Sequence, residues 1–170
     1  AVAALKLQKD AVLYDIGAGT GSVSVEAALQ DGSIRVYAVE RNPEGIALIQ
    51  ENKRKWRTDQ VEIIEGSAPE VLSDLPAPTH VFIGGSGSRL KEIVETCLSK
   101  NPSVRIVLAA VSMETIREMT ELLQDSRWET AEVMQIQASG SRKMGAYHLM
   151  TAQNPVWMAV FQGRKEADHE

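Results

Sequence analysis

Leu13-Tyr14-Asp15-Ile16-Gly17-Ala18-Gly19-Thr20-Gly21-Ser22-Val23-Ser24-Val25-Glu26-Ala27 passes from an apolar run, through three alternating glycines, into a segment of helical periodicity. The apolar run, Ala11 to Ile16, reads as a buried strand, and Thr20 to Gln30 as a helix with Ala27 and Ala28 on its packing side. Glycine at such a strand-to-helix turn lets the backbone bend sharply and approach a ligand with no Cβ in the way. In open α/β sheets, ligands sit beyond the carboxyl ends of the strands, where this loop falls.

The same alternation continues outward. Ile34 to Glu40 reads as a strand, and Asn42-Pro43 opens a helix that runs to about Trp56. Proline suits a first helical position because its missing N–H has no partner there. Val61 to Ile64, Thr79 to Ile83 and Val104 to Val111 read as strands, with a turn or short helix near Pro69 to Leu72. Leu90, Ile93, Val94, Cys97 and Leu98 form one apolar stripe at helical spacing, which puts the Cys97 thiol in the core. Met113 to Leu123 reads as a second amphipathic helix, and Trp128 to Gln137 and Pro155 to Phe161 as final strands. Strands alternating with helices predict a doubly wound α/β sheet of seven strands, closed by an antiparallel pair. The connector Ala138 to Asn154 is too long for an ordinary loop and is rich in Gly, Ser, basic and aromatic residues.

Length and charge limit the function classes. The 170 residues suit one domain, 1–163, with a polar tail over 164–170. The net charge of −5 argues against a dedicated nucleic-acid binder. A single cysteine excludes an internal disulfide and a cysteine-cluster zinc site; no metal site is expected, and a reducing, cytoplasmic setting is. No apolar run approaches the roughly 20 residues of a membrane span. The chain begins at Ala1, which suggests excision from a longer fusion protein.

The glycine pattern discriminates among nucleotide-like ligands. A dinucleotide fingerprint would put its third Gly or Ala at Ser22, whereas glycine falls at Gly21. Glu40 ends the second strand 19 residues after Gly21, where a carboxylate can accept both hydroxyls of an adenosine ribose. Asp15, the glycines and Glu40 together resemble the first two motifs of class I S-adenosylmethionine-dependent methyltransferases, whose Rossmann-like fold carries seven strands with a C-terminal antiparallel hairpin. The resemblance implies that Asp15 and the backbone of Gly17, Ala18, Gly19, Thr20 and Gly21 hold the methionine part of S-adenosyl-L-methionine. It also implies that Glu40 and Arg41 hold the ribose side, that Ser67 and Ala68 border the adenine, and that Gly84 touches the cofactor. Many such relatives carry Asp where Ser67 stands here.

The acceptor is read from the segment after the fourth strand. Methyltransferases of exocyclic or amide nitrogen often carry Asn/Asp-Pro-Pro-aromatic there; this chain has Ile83-Gly84-Gly85-Ser86-Gly87. Those glycines open a floor for a flat, bulky ligand, and Gly87-Ser88 lead into the Leu90 helix, with Ser86 or Ser88 able to cap it. Val81 to Gly87, Gly66-Ser67-Ala68-Pro69-Glu70 and Thr151-Ala152-Gln153-Asn154-Pro155-Val156, with the opening stretch, are similar to one family over nearly the whole chain. It is the decarboxylating precorrin-6Y C-5,15-methyltransferase family, in its C-15 methylating part.

That likeness implies methylation of a precorrin at C-15 with loss of an acetate carboxylate, in cobalamin biosynthesis. It further implies a separate C-5 methylating tetrapyrrole methylase domain or subunit, a homotetramer, and an upstream lid segment for which ten residues before the first strand leave little room. A polycarboxylate macrocycle would need local cations, and Arg142 and Lys143 in the connector, followed by Tyr147, are the candidates, with Gly85, Ser86 and Gly87 beneath the substrate. His148 is the candidate for moving a proton; His80 and His169 are given no role. Two other readings stay open at this point: a methyltransferase of RNA or protein, and a nucleotide-binding regulatory domain without turnover.

Overall fold

The computed structural model describes residues 1–164. The expected polar tail, apart from Arg164, lies outside the described residues, as does His169. A seven-stranded sheet is built from β1 (Val12–Ile16), β2 (Arg35–Glu40), β3 (Val61–Glu65), β4 (His80–Ile83), β5 (Arg105–Ala110), β6 (Trp128–Ile136) and, last in the chain, β9 (Val156–Gly163). Its order is β3-β2-β1-β4-β5-β9-β6, parallel from β3 to β5 and antiparallel on both sides of β9. The order reverses between β1 and β4. A crevice opens at such a switch point, beyond the strand ends.

The continuous apolar runs follow from this topology, because helices cover both sheet faces. Along β1, Val12, Tyr14 and Ile16 belong to one core layer and Leu13 to the other. The first layer takes in Ile93, Val94 and Cys97 of α4 (Leu90–Lys100) and Met119 of α5 (Met113–Leu122). The second takes in Ala27 and Ala28 of α2 (Ser22–Ala28) and Ile49 of α3 (Pro43–Trp56). Burial pushes the Cys97 thiol up to about 12, so the expected packing role stands. The start of α3 is as expected: Pro43 opens it and the Asn42 side chain accepts from the Glu44 N–H at 2.9 Å.

Three local features depart from the sequence reading. A four-residue helix, α1 (Val2–Leu5), precedes β1; it is too short for a periodic signal and is fastened by Leu5 in the core and by Arg105 Nε donating to the Ala4 carbonyl at 2.9 Å. Neither Ser86 nor Ser88 caps α4: the cap position is Arg89, without a side-chain cap bond, and Ser88 lies at φ 65°. The connector is a β-hairpin rather than a loop, with β7 (Ser139–Met144) and β8 (Tyr147–Ala152) joined by Gly145-Ala146 and Gly145 at positive φ. A two-residue loop with a leading positive-φ glycine matches the twist of a hairpin. Since β6 runs parallel to β5, the hairpin leaves the sheet at the carboxyl end of the parallel strands.

Candidate cofactor-binding cleft

At that carboxyl end a cleft of about 340 Å³ opens. Its walls come from the ends of three strands: Ile16 and Gly17 after β1, Val39 to Arg41 at β2, Gly66 to Ala68 after β3. Gly85 to Gly87, Arg89 and Ile93 complete it from the β4–α4 side.

The glycine loop is tight for a steric reason. A Cβ on Gly17, at φ +70°, would lie 2.8 Å from the backbone of Gly85. The loops after β1 and β4 therefore meet backbone to backbone, and no other residue fits at Gly17. Asn52 Nδ2 donates to the Thr20 carbonyl at 2.9 Å and steadies the loop from α3. Gly21, the N-cap of α2, sits at φ 72° against Ile49.

Glu40 ties the loop to the end of β2. Its Oε2 accepts from the Gly19 N–H at 2.8 Å, and its Oε1 accepts from the N–H groups of Arg41 and Asn42 at 2.9 and 2.8 Å. Partial burial raises its pKa, but these three N–H groups and the Arg41 charge outweigh that and hold the carboxyl below its usual range. A carboxylate offers about four lone-pair sites. Three are filled, so one ribose hydroxyl fits directly, and a second would have to replace an N–H such as that of Gly19. The sequence reading placed both hydroxyls there without this competition.

Asp15 lies beneath the loop. It is 1% exposed; Ser24 Oγ donates to its Oδ2 at 2.5 Å, while Oδ1 has no protein partner among the described residues. Burial raises its pKa, the Ser24 hydrogen bonds lower it and the Glu40 charge raises it, leaving it at about 6. An unpaired buried carboxylate oxygen is costly, and a cationic ligand group nearby would offset that cost. This orphaned oxygen, the glycine cradle and the spare acceptor on Glu40 fit an adenosyl amino acid with a positive centre.

The expected site residues divide into three groups. Gly17, Glu40, Arg41, Ser67, Ala68, Gly85, Ser86 and Gly87 line the cleft. Ala18, Gly19, Thr20, Gly21 and Gly84 belong to the loops that shape it, Gly84 packing against the Gly17 carbonyl, and Asp15 supports them from within β1. Arg142, Lys143, Tyr147 and His148 stand on the exposed hairpin and none lines the cleft. Cross-strand register divides these four: Lys143 pairs with His148 on one hairpin face, while Arg142, opposite Leu149, shares the other with Met144 and Tyr147. His80 is at the start of β4, far from the strand ends that form the cleft; burial and the Arg105 charge lower its pKa to about 4.

Two further residues shape the cleft without being expected from the sequence. A Cβ on Gly45, in the first turn of α3, would lie 2.9 Å from Glu40 Cγ and 3.0 Å from the Gly19 carbonyl. Gly45 thus lets α3 approach the acid and the loop together, and a glycine three residues into a helix is its signal. Arg89 lines the cleft and bonds Glu70 and Glu92; nothing in its sequence neighbourhood marks it. Among the described residues no group of three or more His, Cys, Asp or Glu could hold a metal ion, and no helix is long and apolar enough to cross a membrane.

Comparison with known proteins decides between the readings that the sequence left open. A family model described as precorrin methyltransferase domain matches residues 1–162. The chain belongs to this family. Within it, a probable cobalt-precorrin-6B C(15)-methyltransferase (decarboxylating) of Pyrobaculum calidifontis is 39% identical, over 93% of this chain and 82% of that protein. The cobalt-precorrin-6B C(15)-methyltransferase (decarboxylating) of Salmonella typhimurium is 34% identical, over 99% and 86% respectively. Among solved structures, the precorrin-6Y C5,15-methyltransferase of Geobacter metallireducens superposes with a TM-score of 0.87 at 36% identity, covering 95% of this chain and 85% of that one. The precorrin methyltransferase fold is therefore shared along nearly the entire chain.

Proposed function

We propose that this precorrin methyltransferase domain, residues 1–163, transfers a methyl group from S-adenosyl-L-methionine to C-15 of a precorrin and releases an acetate carboxylate of the substrate as carbon dioxide. The observation that carries this is the near-full-length match to relatives named for that reaction, together with a cleft whose loops fit the cofactor. Asp15 and the Gly17–Gly21 backbone hold the methionine part, with Gly84 behind Gly17; Glu40 and Arg41 hold the ribose side, and Ser67 and Ala68 border the base. When bound, the cofactor supplies an electrophilic methyl group, and S-adenosyl-L-homocysteine is left.

The protein's contribution is placement. No protein nucleophile is needed, because the electron-rich macrocycle carbon attacks the methyl group directly. Holding the two reactants in line accounts for much of the acceleration, since effective molarities on the order of 10⁵–10⁸ M are reached in well-oriented systems. Gly85, Ser86 and Gly87 form a floor without bulk beside the cofactor, and Arg142 and Tyr147 reach the substrate periphery from one face of the hairpin. Lys143 and His148 point from the opposite face, so within one chain they do not share that role. The macrocycle takes up the electrons left by decarboxylation, so no separate electron sink is required.

The hairpin also suits self-association. All its strand residues are exposed, including Tyr147 at 74% and Met150 at 70%. A lone two-stranded hairpin is marginally stable in water, and packing against copies of the chain gives it a partner, consistent with a tetramer. C-5 methylation is assigned to a separate domain or subunit. The test is incubation with methyl-labelled cofactor and the precorrin: equimolar methyl incorporation and carbon dioxide release support the reading. Methylation without carbon dioxide, or neither, contradicts it.

A further inference from the structure

Among the described residues, Arg89 is the one charged residue lining the cleft for which neither the sequence reading nor the proposed reaction accounts. Its side chain is held on two sides. Nε and Nη2 donate to the two carboxylate oxygens of Glu92 at 3.2 and 2.6 Å, and Nη1 donates to Glu70. Glu70 stands two residues beyond Ala68 on the wall after β3, whereas Arg89 and Glu92 belong to the wall after β4. The guanidinium thus joins the two walls at the place where Ala68 borders the cleft. Of its five N–H donors three are spent, which leaves one on each Nη.

The local charge selects what those donors can receive. One guanidinium sits between two carboxylates, so the cluster carries a net charge of about −1. An anionic ligand group would be repelled by Glu70 and Glu92 and would compete with them for the same nitrogen atoms. A neutral acceptor meets neither obstacle. Adenine offers such an acceptor at N1, on the edge remote from the sugar, and Arg89 lines the same cleft as Glu40 and Ala68, where the ribose and the base are assigned.

We propose that Arg89 reads the base of the cofactor, donating an Nη N–H to adenine N1, with Glu70 and Glu92 fixing the guanidinium. This rests on the cofactor reading above and deepens it: recognition that a side chain at position 67 could supply is provided instead by a residue from the β4–α4 segment. It makes Arg89 a specificity determinant, because hypoxanthine presents a donor, N1–H, where adenine presents an acceptor.

The test is calorimetric titration of the whole chain with S-adenosylhomocysteine and with its 1-deaza analogue, in which a C–H replaces N1. Wild type binds the analogue roughly ten- to a hundredfold more weakly, the worth of one charge-assisted hydrogen bond. R89M binds S-adenosylhomocysteine weaker by a similar factor and no longer distinguishes the two ligands. E92Q, which loosens the guanidinium without removing it, falls between. Equal binding of both ligands by wild type, or undiminished discrimination in folded R89M, overturns the proposal. Failure of wild type to bind S-adenosylhomocysteine at all overturns the cofactor reading itself, and this inference with it.

Discussion

Replacing Asp15 by Asn gives a prediction whose size and sign both come from the structure. Burial raises the Asp15 carboxyl from 3.8 to about 6, against the opposing Ser24 hydrogen bonds. The folded chain therefore binds more protons than the unfolded chain between pH 4 and pH 6, and stability falls as pH rises through that window. This is opposite in sign to the usual ion-paired carboxylate. A shift of about two units corresponds to roughly 3 kcal/mol over the whole titration, of which about 2 kcal/mol falls between pH 4 and pH 7. The amide of D15N would not titrate, although its buried N–H₂ needs partners and can itself cost about 1–3 kcal/mol. The informative quantity is consequently the difference of differences: the stability of D15N minus that of wild type, at pH 7 and again at pH 4. Urea unfolding at both values should show D15N gaining on wild type by about 2 kcal/mol at the higher pH. Parallel pH profiles for the two proteins would show that Asp15 does not ionise under strain and that its orphaned oxygen carries no cost.

The other predictions probe the loops and the hairpin. The same ionisation should govern the binding of the cationic cofactor: wild-type affinity for S-adenosylmethionine falls up to about fivefold from pH 6 to pH 5 as Asp15 gains its proton, whereas D15N, measured by the same titration, shows a flat profile. Gly45→Ala adds a helix former worth about 1 kcal/mol inside α3, yet its Cβ meets Glu40 and Gly19; affinity for S-adenosylhomocysteine should drop severalfold without the loss of stability expected from a damaged core. Gly17→Ala collides with the Gly85 backbone and forces a left-handed conformation, costing at least about 1–2 kcal/mol in unfolding free energy and most of the affinity. If the chain self-associates through the hairpin, as proposed, shortening β7 and β8 to a tight turn should lower its mass by analytical ultracentrifugation to that of a monomer, with the sheet's circular dichroism retained; a mass unchanged from wild type would contradict that proposal.

The fold was legible where burial imposes a pattern. The runs Ala11–Ile16 and Val104–Val111, apolar but for Asp15 and Arg105, announce strands covered on both faces, and the Leu90–Leu98 stripe announces a helix covered on one. The hairpin was not legible, because its strands bury neither face and so show no alternation; Gly145 between two runs of equal length was the available signal. The site was legible where backbone geometry demands a residue type. Gly17 must lack a Cβ, and Glu40 must end the strand beside the loop, so both stand out in the sequence. Arg89 did not stand out. Its place in the cleft is set by Glu70, 19 residues away, and by the path of the segment after β3, and no local pattern encodes either. Arg142 and Lys143 are adjacent in sequence, but the two-residue period of a strand sends them to opposite faces once the connector is known to be paired.

For any of this chemistry to occur, the cleft at the Gly17–Gly21 bend must accept an adenosyl amino acid with its sugar on Glu40. Isothermal titration of the chain with S-adenosylhomocysteine, beside E40A, measures this most directly. Saturable one-to-one binding at about micromolar affinity or tighter, weakened at least about tenfold in a folded E40A, is the predicted result. Absence of binding to wild type, or equal affinity in the two proteins, would contradict it.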